Sequence, residues 1–417
     1  MTRLDVRLET GGEVVRVGEL LAKDGRTYFQ YDPAFRSRGV ELSPFKLPTE
    51  VAEPLEERAR VYGGLHGLFN DSLPDGWGLM LIERTLRSRG LDAARITPLD
   101  RLAFIGRRGM GALTYHPPTT ADSAEPLEID LSEIAAQSQR VLAGSTEDLL
   151  PELVRAGGSP MGARPKVVVG VSATRDHLIT GVDELPNGYQ HWLIKFVAQH
   201  DPVDVGAIES AYAAMARAAG IDVPPTHLFA ARDGRRYFGV ERFDRDPHDA
   251  TRRHHIHTLA GLLHHDHRIP GQDYLDLLKV ARLLTRDHRD VVEALRRSVF
   301  NVLAHNRDDH TKNFAFRMSA EGHWRLAPAY DLTFSEGPDG EHTMLVHGAG
   351  QRPTLAHIDQ LAAAASIEKR ELRDVVEQVR SAVAAWPTFA DAAGVDPTSR
   401  RFIKRRHDDT AAEFLRP

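Results

Sequence analysis

The stretch 305-HNRDDHTKNFAFRM-318, followed after a short turn by 324-WRLAPAYDL-332, decides how the rest of the chain is read. It sets out Asp308, Asn313 and Asp331 in order, with a histidine and a lysine between the first two. Asp308 and Asn313 stand five positions apart, and Asp331 falls on what the pattern predicts as the next strand. These residue types suit phosphoryl transfer. One carboxylate is needed to orient an attacking hydroxyl and accept its proton, and oxygen ligands are needed for Mg²⁺ on nucleotide phosphates. An Asp and an Asn at this spacing recur by chance, so the reading depends on whether the flanking chain supplies the other parts.

Composition narrows the field. A chain of 417 residues is too long for one small core, and two or three domains are expected. The formal charge of −6 leaves no global basic field of the kind a nucleic-acid binder carries, so any phosphate site must be built locally. The absence of cysteine excludes disulfides, thiolate zinc sites and cysteine nucleophiles. With no apolar signal region at the start and no apolar run of spanning length, the expectation is a cytoplasmic protein without a membrane partner.

Upstream, residues 4 to 31 alternate with period two and are punctuated by Gly11-Gly12 and Asp24-Gly25, which predicts a small antiparallel sheet. LHGLFNDSLPDGWG then leads into a helix ending at Gly90, and PLDRLAFIGRRGMGALTYHP predicts a short helix and a strand. The Pro/Thr/Ser stretch 117 to 126 is a linker. Asp130 with Glu133 predicts a capping-box start for the next helix, and a second helix covers 147 to 156.

The segment from 157 is rich in glycine. GGSPMGARPK precedes the strand KVVVGV, a place where backbone N–H groups can turn toward phosphates. HWLIKFV (191 to 197) is a buried-looking strand with Lys195 in its middle, a costly position for an unpaired ammonium. Glu209 follows on a helix fourteen positions later. A hairpin then ends in Glu241-Arg242-Phe243-Asp244. From about 246 the chain turns helical, and the opening stretch lies at the end of the second of these helices. The histidines at 254, 255, 257, 264, 265 and 267 lack the i, i+4 spacing of helical metal ligands, which predicts polar loop and helix-end residues rather than a metal site.

Taken together these parts resemble the HipA-type serine/threonine kinases, toxins of bacterial toxin–antitoxin pairs. RVGEL with DGRTYFQYDP and FNDSLPDGWG is similar to that family's N-terminal subdomain, GGSPMGARPK to its phosphate loop, and HWLIKF to its ATP-lysine strand. GVERFDR is similar to its hinge, HNRDDHTKNFAF to its catalytic loop, and LAPAYDL to its metal-binding strand. The resemblance covers nearly the whole chain. It implies an α+β, two-lobed kinase-like fold: a β-rich N-terminal subdomain over 1–116, a linker and helix over 117–149, a mixed kinase N-lobe over 150–245, and a mostly helical C-lobe over 246–417.

The resemblance also implies roles, with ATP and Mg²⁺ as cofactors. Asp308 is the base, Asn313 and Asp331 hold the metal, and Lys195, paired with Glu209, contacts the phosphates. Gly162, Ala163 and Lys166 belong to the phosphate loop, Glu241 and Phe243 meet the adenine, and Ser159 is the residue that members phosphorylate on themselves. A phosphoserine there would add close to two negative charges where ATP phosphates sit. The implied protein target is an aminoacyl-tRNA synthetase, and the implied partner is a HipB-like helix-turn-helix antitoxin with operator DNA. Pro160 and Pro165 depart from the pattern by removing two N–H donors from the loop. Two alternatives carry different expectations: a small-molecule kinase on a similar fold, and a silent corepressor module.

Overall fold

The computed structural model describes residues 3–119, 125–145, 153, 162–180, 184–249 and 252–416. Among them the strands form three antiparallel sheets. The first contains β1 (Arg3–Thr10), β2 (Glu13–Lys23), β3 (Arg26–Tyr31), β4 (Leu55–Glu56) and β5 (Leu113–His116) in the order β4-β3-β2-β1-β5. Gly11-Gly12 and Asp24-Gly25 make the turns between β1, β2 and β3. Leu4, Val6 and Leu8 alternate inward along β1, as a half-buried strand requires.

The second sheet has the order β7-β6-β8-β10-β9, from β6 (Lys166–Ser172), β7 (Leu178–Thr180), β8 (Tyr189–Lys195), β9 (Thr226–Ala230) and β10 (Arg236–Glu241). The helix Val205–Ala218 packs on β9 and β10. Lys195 closes β8 instead of sitting in its middle. The ladder ends there because Phe196 N–H bonds the Pro165 carbonyl (2.8 Å) and Pro165 has no N–H to return. Asp130 caps the helix Leu131–Leu142 by accepting from Ser132 N–H. Apart from Leu153, the helix expected over 147–156 lies outside the described residues.

The third sheet, β11 (His255–Thr258), β12 (Ala315–Met318) and β13 (Trp324–Leu326), lies among the C-terminal helices. It corrects two expectations. His255 and His257 are buried strand residues, not polar loop positions, because each ring is hydrogen-bonded in place. Asp331 lies past β13 on irregular chain. The last ladder bond runs from Ala327 N–H to Ala315 O (2.9 Å), Pro328 follows without a donor, and Asp331 itself is left-handed at φ 57°.

One continuous apolar core joins Leu4, Val6 and Phe29 of the first sheet to Val291, Leu295 and Val299 of the helix His288–Leu303. A second lies under the β6–β8–β10 sheet. The helix Gly76–Ser88 serves both, giving Ile82 and Leu86 to the first and Trp77 and Leu81 to the second. Among the described residues no helix is long and apolar enough to cross a membrane.

Candidate functional site

The start of β6 and the end of β8 bring Lys166 and Lys195 opposite one another in register. Lys195 Nζ lies 2.7 Å from Glu209 Oε2 and 2.5 Å from Asp331 Oδ1, with Lys195 and Glu209 buried. Burial would lower the Lys195 pKa, but Asp331 and Glu209 overcome it and hold the ammonium above the usual lysine range. For Asp331 burial pushes the carboxyl up, and Lys195 and Lys166 carry it well below the carboxylate range. Lys166 shows no such reversal. Burial dominates there and lowers its pKa to about 8. A Cβ on Gly162 (φ 102°) would strike the Lys166 ammonium, so the loop ahead of β6 folds over this lysine. Arg164 pairs with Glu209 (3.1 Å) and Asp201 (3.1 Å). Gly162, Ala163, Lys166, Lys195, Glu209 and Asp331 thus converge, while Ser159 and Pro160 lie outside the described residues.

The helix His288–Leu303 delivers the 305–313 loop to the same cleft, with His305 turning the chain at φ 53°. Asp309 is wholly buried. It accepts from Tyr274 Oη (2.7 Å), Thr343 N–H (2.8 Å) and Met344 N–H (3.3 Å), and meets His342 Nδ1 at 2.8 Å. Asp308 keeps 61% of its side chain exposed. Desolvation by the cleft walls raises its pKa above the usual range; His310, 4.0 Å away, opposes this and Asp331 adds to it. Asn313 Nδ2 donates to the Asp308 carbonyl (2.8 Å), leaving the amide oxygen as the atom suited to a cation. That oxygen and the Asp331 carboxylate are the hard donors Mg²⁺ takes, alongside water and phosphate oxygens.

The segment 241–244, expected as the hinge, borders the cleft. Arg242 N–H bonds the His191 carbonyl (2.8 Å), and the Phe243 ring stacks on Tyr330 at 5.5 Å, one residue before Asp331. Desolvation raises the Glu241 carboxyl. Behind the hinge, Arg242 and Arg245 both grip buried Asp244 (2.7 and 2.6 Å), which also accepts from Gly111 N–H (2.7 Å) beside the first sheet.

Several contacts were not visible in the sequence. Lys312 Nζ lies 2.7 Å from Asp75 Oδ1. Burial alone would raise the Asp75 carboxyl, and Lys312 outweighs it to bring the pKa down. Trp77 Nε1–H donates to the Lys166 carbonyl (3.2 Å). A Cβ on Gly76 (φ 26°) would come within 2.7 Å of Ala163 Cα. Locally SLPDGWG reads as a favoured Pro-Asp-Gly turn entering a helix, and nothing in it points to Lys312 or to the phosphate loop. A second constellation, Ser43 Oγ–His257 Nε2 (2.9 Å) and His257 Nδ1–Asp71 Oδ2 (2.6 Å), has the bonding order of a nucleophilic triad. All three side chains are buried, and Asp71 also accepts from Thr258 N–H and Oγ1 (2.7 and 2.8 Å). It is a clamp between the N-terminal segment and β11.

Comparison with known proteins bears on this cleft. Residues 158–386, more than half of the chain, match the family model of the HipA-like C-terminal domain, and residues 4–116 match the HipA N-terminal domain. Two proteins of Sinorhizobium fredii (strain NBRC 101917 / NGR234), both bearing the name "Putative kinase", are similar. Y4dM is 28% identical over 415 residues, 91% of each chain. Y4mE is 30% identical over 216 residues, which span 48% of this chain and only 44% of that relative. Among solved structures, a chain of the Shewanella oneidensis MR-1 toxin–antitoxin complex of HipA, HipB and operator DNA aligns over 98% of this chain and 96% of its own. The TM-score is 0.71 at 17% identity, so the two share the two-lobed kinase-like α+β fold.

Proposed function

The chain belongs to the HipA family, and on that footing we propose that it is an ATP- and Mg²⁺-dependent protein serine/threonine kinase, the growth-arrest toxin of a toxin–antitoxin pair. The observation that carries this reading is the buried Lys195 between Glu209 and Asp331, with the Asp308–Asn313 loop beside it. A Lys–Glu pair plus a metal-facing Asp is what a kinase assembles around nucleotide phosphates.

In this reading Asp308 orients the acceptor hydroxyl and takes its proton. Desolvation in the cleft raises its pKa, which makes it a better base than an ordinary carboxylate. Lys195, held by Glu209, and Lys166 bind phosphate oxygens, with Gly162 and Ala163 giving backbone N–H groups. Glu241 and Phe243 border the adenine. Mg²⁺ held by Asn313 and Asp331 supplies charge neutralisation on the phosphates when bound. We assign 1–116 to an N-terminal subdomain, 150–245 to the N-lobe and 246–417 to the C-lobe, with the segment 117–149 between them. A cytoplasmic HipB-like antitoxin with operator DNA is the expected partner, supported by the composition of the Shewanella complex. An aminoacyl-tRNA synthetase is the expected substrate, and Ser159 the site of self-phosphorylation.

Labelled ATP tests the reading. Wild-type protein should label Ser159 and Asp308→Gln should not. Labelling of an aminoglycoside but of no protein would replace this reading with a small-molecule kinase. Failure to bind Mg-ATP in calorimetry would leave a silent module.

A further inference from the structure

Three contacts described above start from consecutive residues of the N-terminal subdomain and end on the two loops that handle the nucleotide. Asp75 reaches Lys312, 237 positions away in the catalytic loop, at 2.7 Å. Gly76 lies against Ala163 so closely that a methyl group would not fit. Trp77 donates to the carbonyl of Lys166 at 3.2 Å. We infer that the turn Asp75-Gly76-Trp77 is a positioning element of the phosphotransfer site, with Asp75 setting the catalytic loop through Lys312 and Trp77 setting the phosphate loop through Lys166.

The chemistry of each contact supports a positioning role. The Lys312 side chain is buried, with 5% exposure, and a buried ammonium needs a carboxylate. Asp75 is the carboxylate that meets it, and by fixing the side chain it fixes the backbone between Asp308 and Asn313. The Lys312 carbonyl accepts from Tyr330 Oη (2.5 Å), so the same residue also steadies the chain entering Asp331. One salt bridge therefore governs where the base and both oxygen ligands stand relative to each other. On the other side, the Lys166 carbonyl is the first of β6, and the Trp77 indole is buried among Val167, Trp192 and Ile194. The indole thus pins the strand start while its neighbour Gly76 admits the loop at van der Waals distance. None of these three residues belongs to the segment expected to bind nucleotide, so their effect runs through Lys312, Ala163 and Lys166.

This inference rests on the kinase reading, and its test separates the two. The full chain is assayed by single-turnover transfer from labelled Mg-ATP, giving a rate at saturation and a half-saturating ATP concentration. Asp75→Asn should lower the saturating rate by about 10²-fold, the scale of a small misplacement of catalytic groups, with the half-saturating concentration little changed. Trp77→Phe should do the reverse, raising the half-saturating concentration about fivefold for one lost hydrogen bond while keeping the saturating rate. Lys312→Met combined with Asp75→Asn should be no slower than the slower single variant, because the pair acts as a unit. If Asp75→Asn does not fold, Asp75→Glu, which keeps the charge on a longer arm, should show the same split at smaller amplitude. A wild-type rate in Asp75→Asn, a loss that appears in ATP affinity instead, or multiplying deficits in the double variant would overturn the inference while leaving the kinase reading intact. A wild-type chain that neither binds Mg-ATP nor transfers phosphate would overturn both.

Discussion

Asp308 and Asp309 are neighbours in the chain and opposites in environment: Asp308 keeps 61% of its side chain open to the cleft, and Asp309 is sealed among Tyr274, His342 and the Thr343 and Met344 N–H groups. Substitution should separate them. Asp308→Asn is expected to abolish transfer with less than about 0.5 kcal/mol of stability change, as for an exposed side chain. Asp309→Asn replaces an acceptor of four contacts and should cost roughly 2–3 kcal/mol. Denaturant unfolding read beside labelled-ATP transfer checks the contrast, and equal stability losses would reject it.

Lys195 is the common partner of two carboxylates. In Lys195→Met, Glu209 keeps Arg164 at 3.1 Å, and Asp331 bears most of the loss. Stability should fall by roughly 3 kcal/mol. Adding Asp331→Asn should restore part of it, since the stranded charge is then removed. Unfolding midpoints of the wild-type chain and the two variants measure this, and a double variant less stable than Lys195→Met would contradict it.

Lys166 gives the site a basic limb. Its pKa of about 8 lies below the ordinary lysine value of 10.5. Between those values the unfolded chain holds more protons than the folded one, so stability rises with pH across that window as the buried charge is shed. Nucleotide affinity runs the other way, because phosphate favours the ammonium. Mg-ATP binding should be level below pH about 8 and fall by up to about tenfold per pH unit above it. Calorimetric titrations across that window check the slope, and Lys166→Met should lack it.

The Ser43–His257–Asp71 array makes a negative prediction. Ser43 is 1% exposed, so a fluorophosphonate probe should leave it unlabelled on the native chain. Asp71→Ala should instead destabilise by roughly 3–5 kcal/mol by leaving His257 and Thr258 without their acceptor. Native labelling at Ser43 would reassign the array as reactive.

Much of the architecture could be read from local signals. Alternation and Gly-containing turns announced β1 to β3, and helical periodicity announced the two helices that lead into the 305–313 loop. The Lys195 strand was legible because a lysine within an apolar run requires a partner. What escaped were features decided by distant chain. His255 and His257 looked polar because the groups that bury them, the Leu42 carbonyl, Ser43 and Asp71, lie some two hundred positions earlier. Asp331, by contrast, was expected on a strand because the strand reading ran on past Pro328, whose missing donor ends the β12–β13 ladder. Asp75 drew no attention because its partner Lys312 lies across the molecule.

The apolar core that runs unbroken from Leu4 and Phe29 to Leu295 and Val299 means the seam between the first sheet and the C-terminal helices is an interior, not a joint. Cutting the chain after residue 116 would therefore not release a smaller enzyme freed of an accessory. It would uncover a wide oily face on each piece, and the larger piece would aggregate or seek a substitute cover before it could turn over nucleotide. Regulation of this protein would therefore act on a body that is already whole rather than by swinging the N-terminal sheet away.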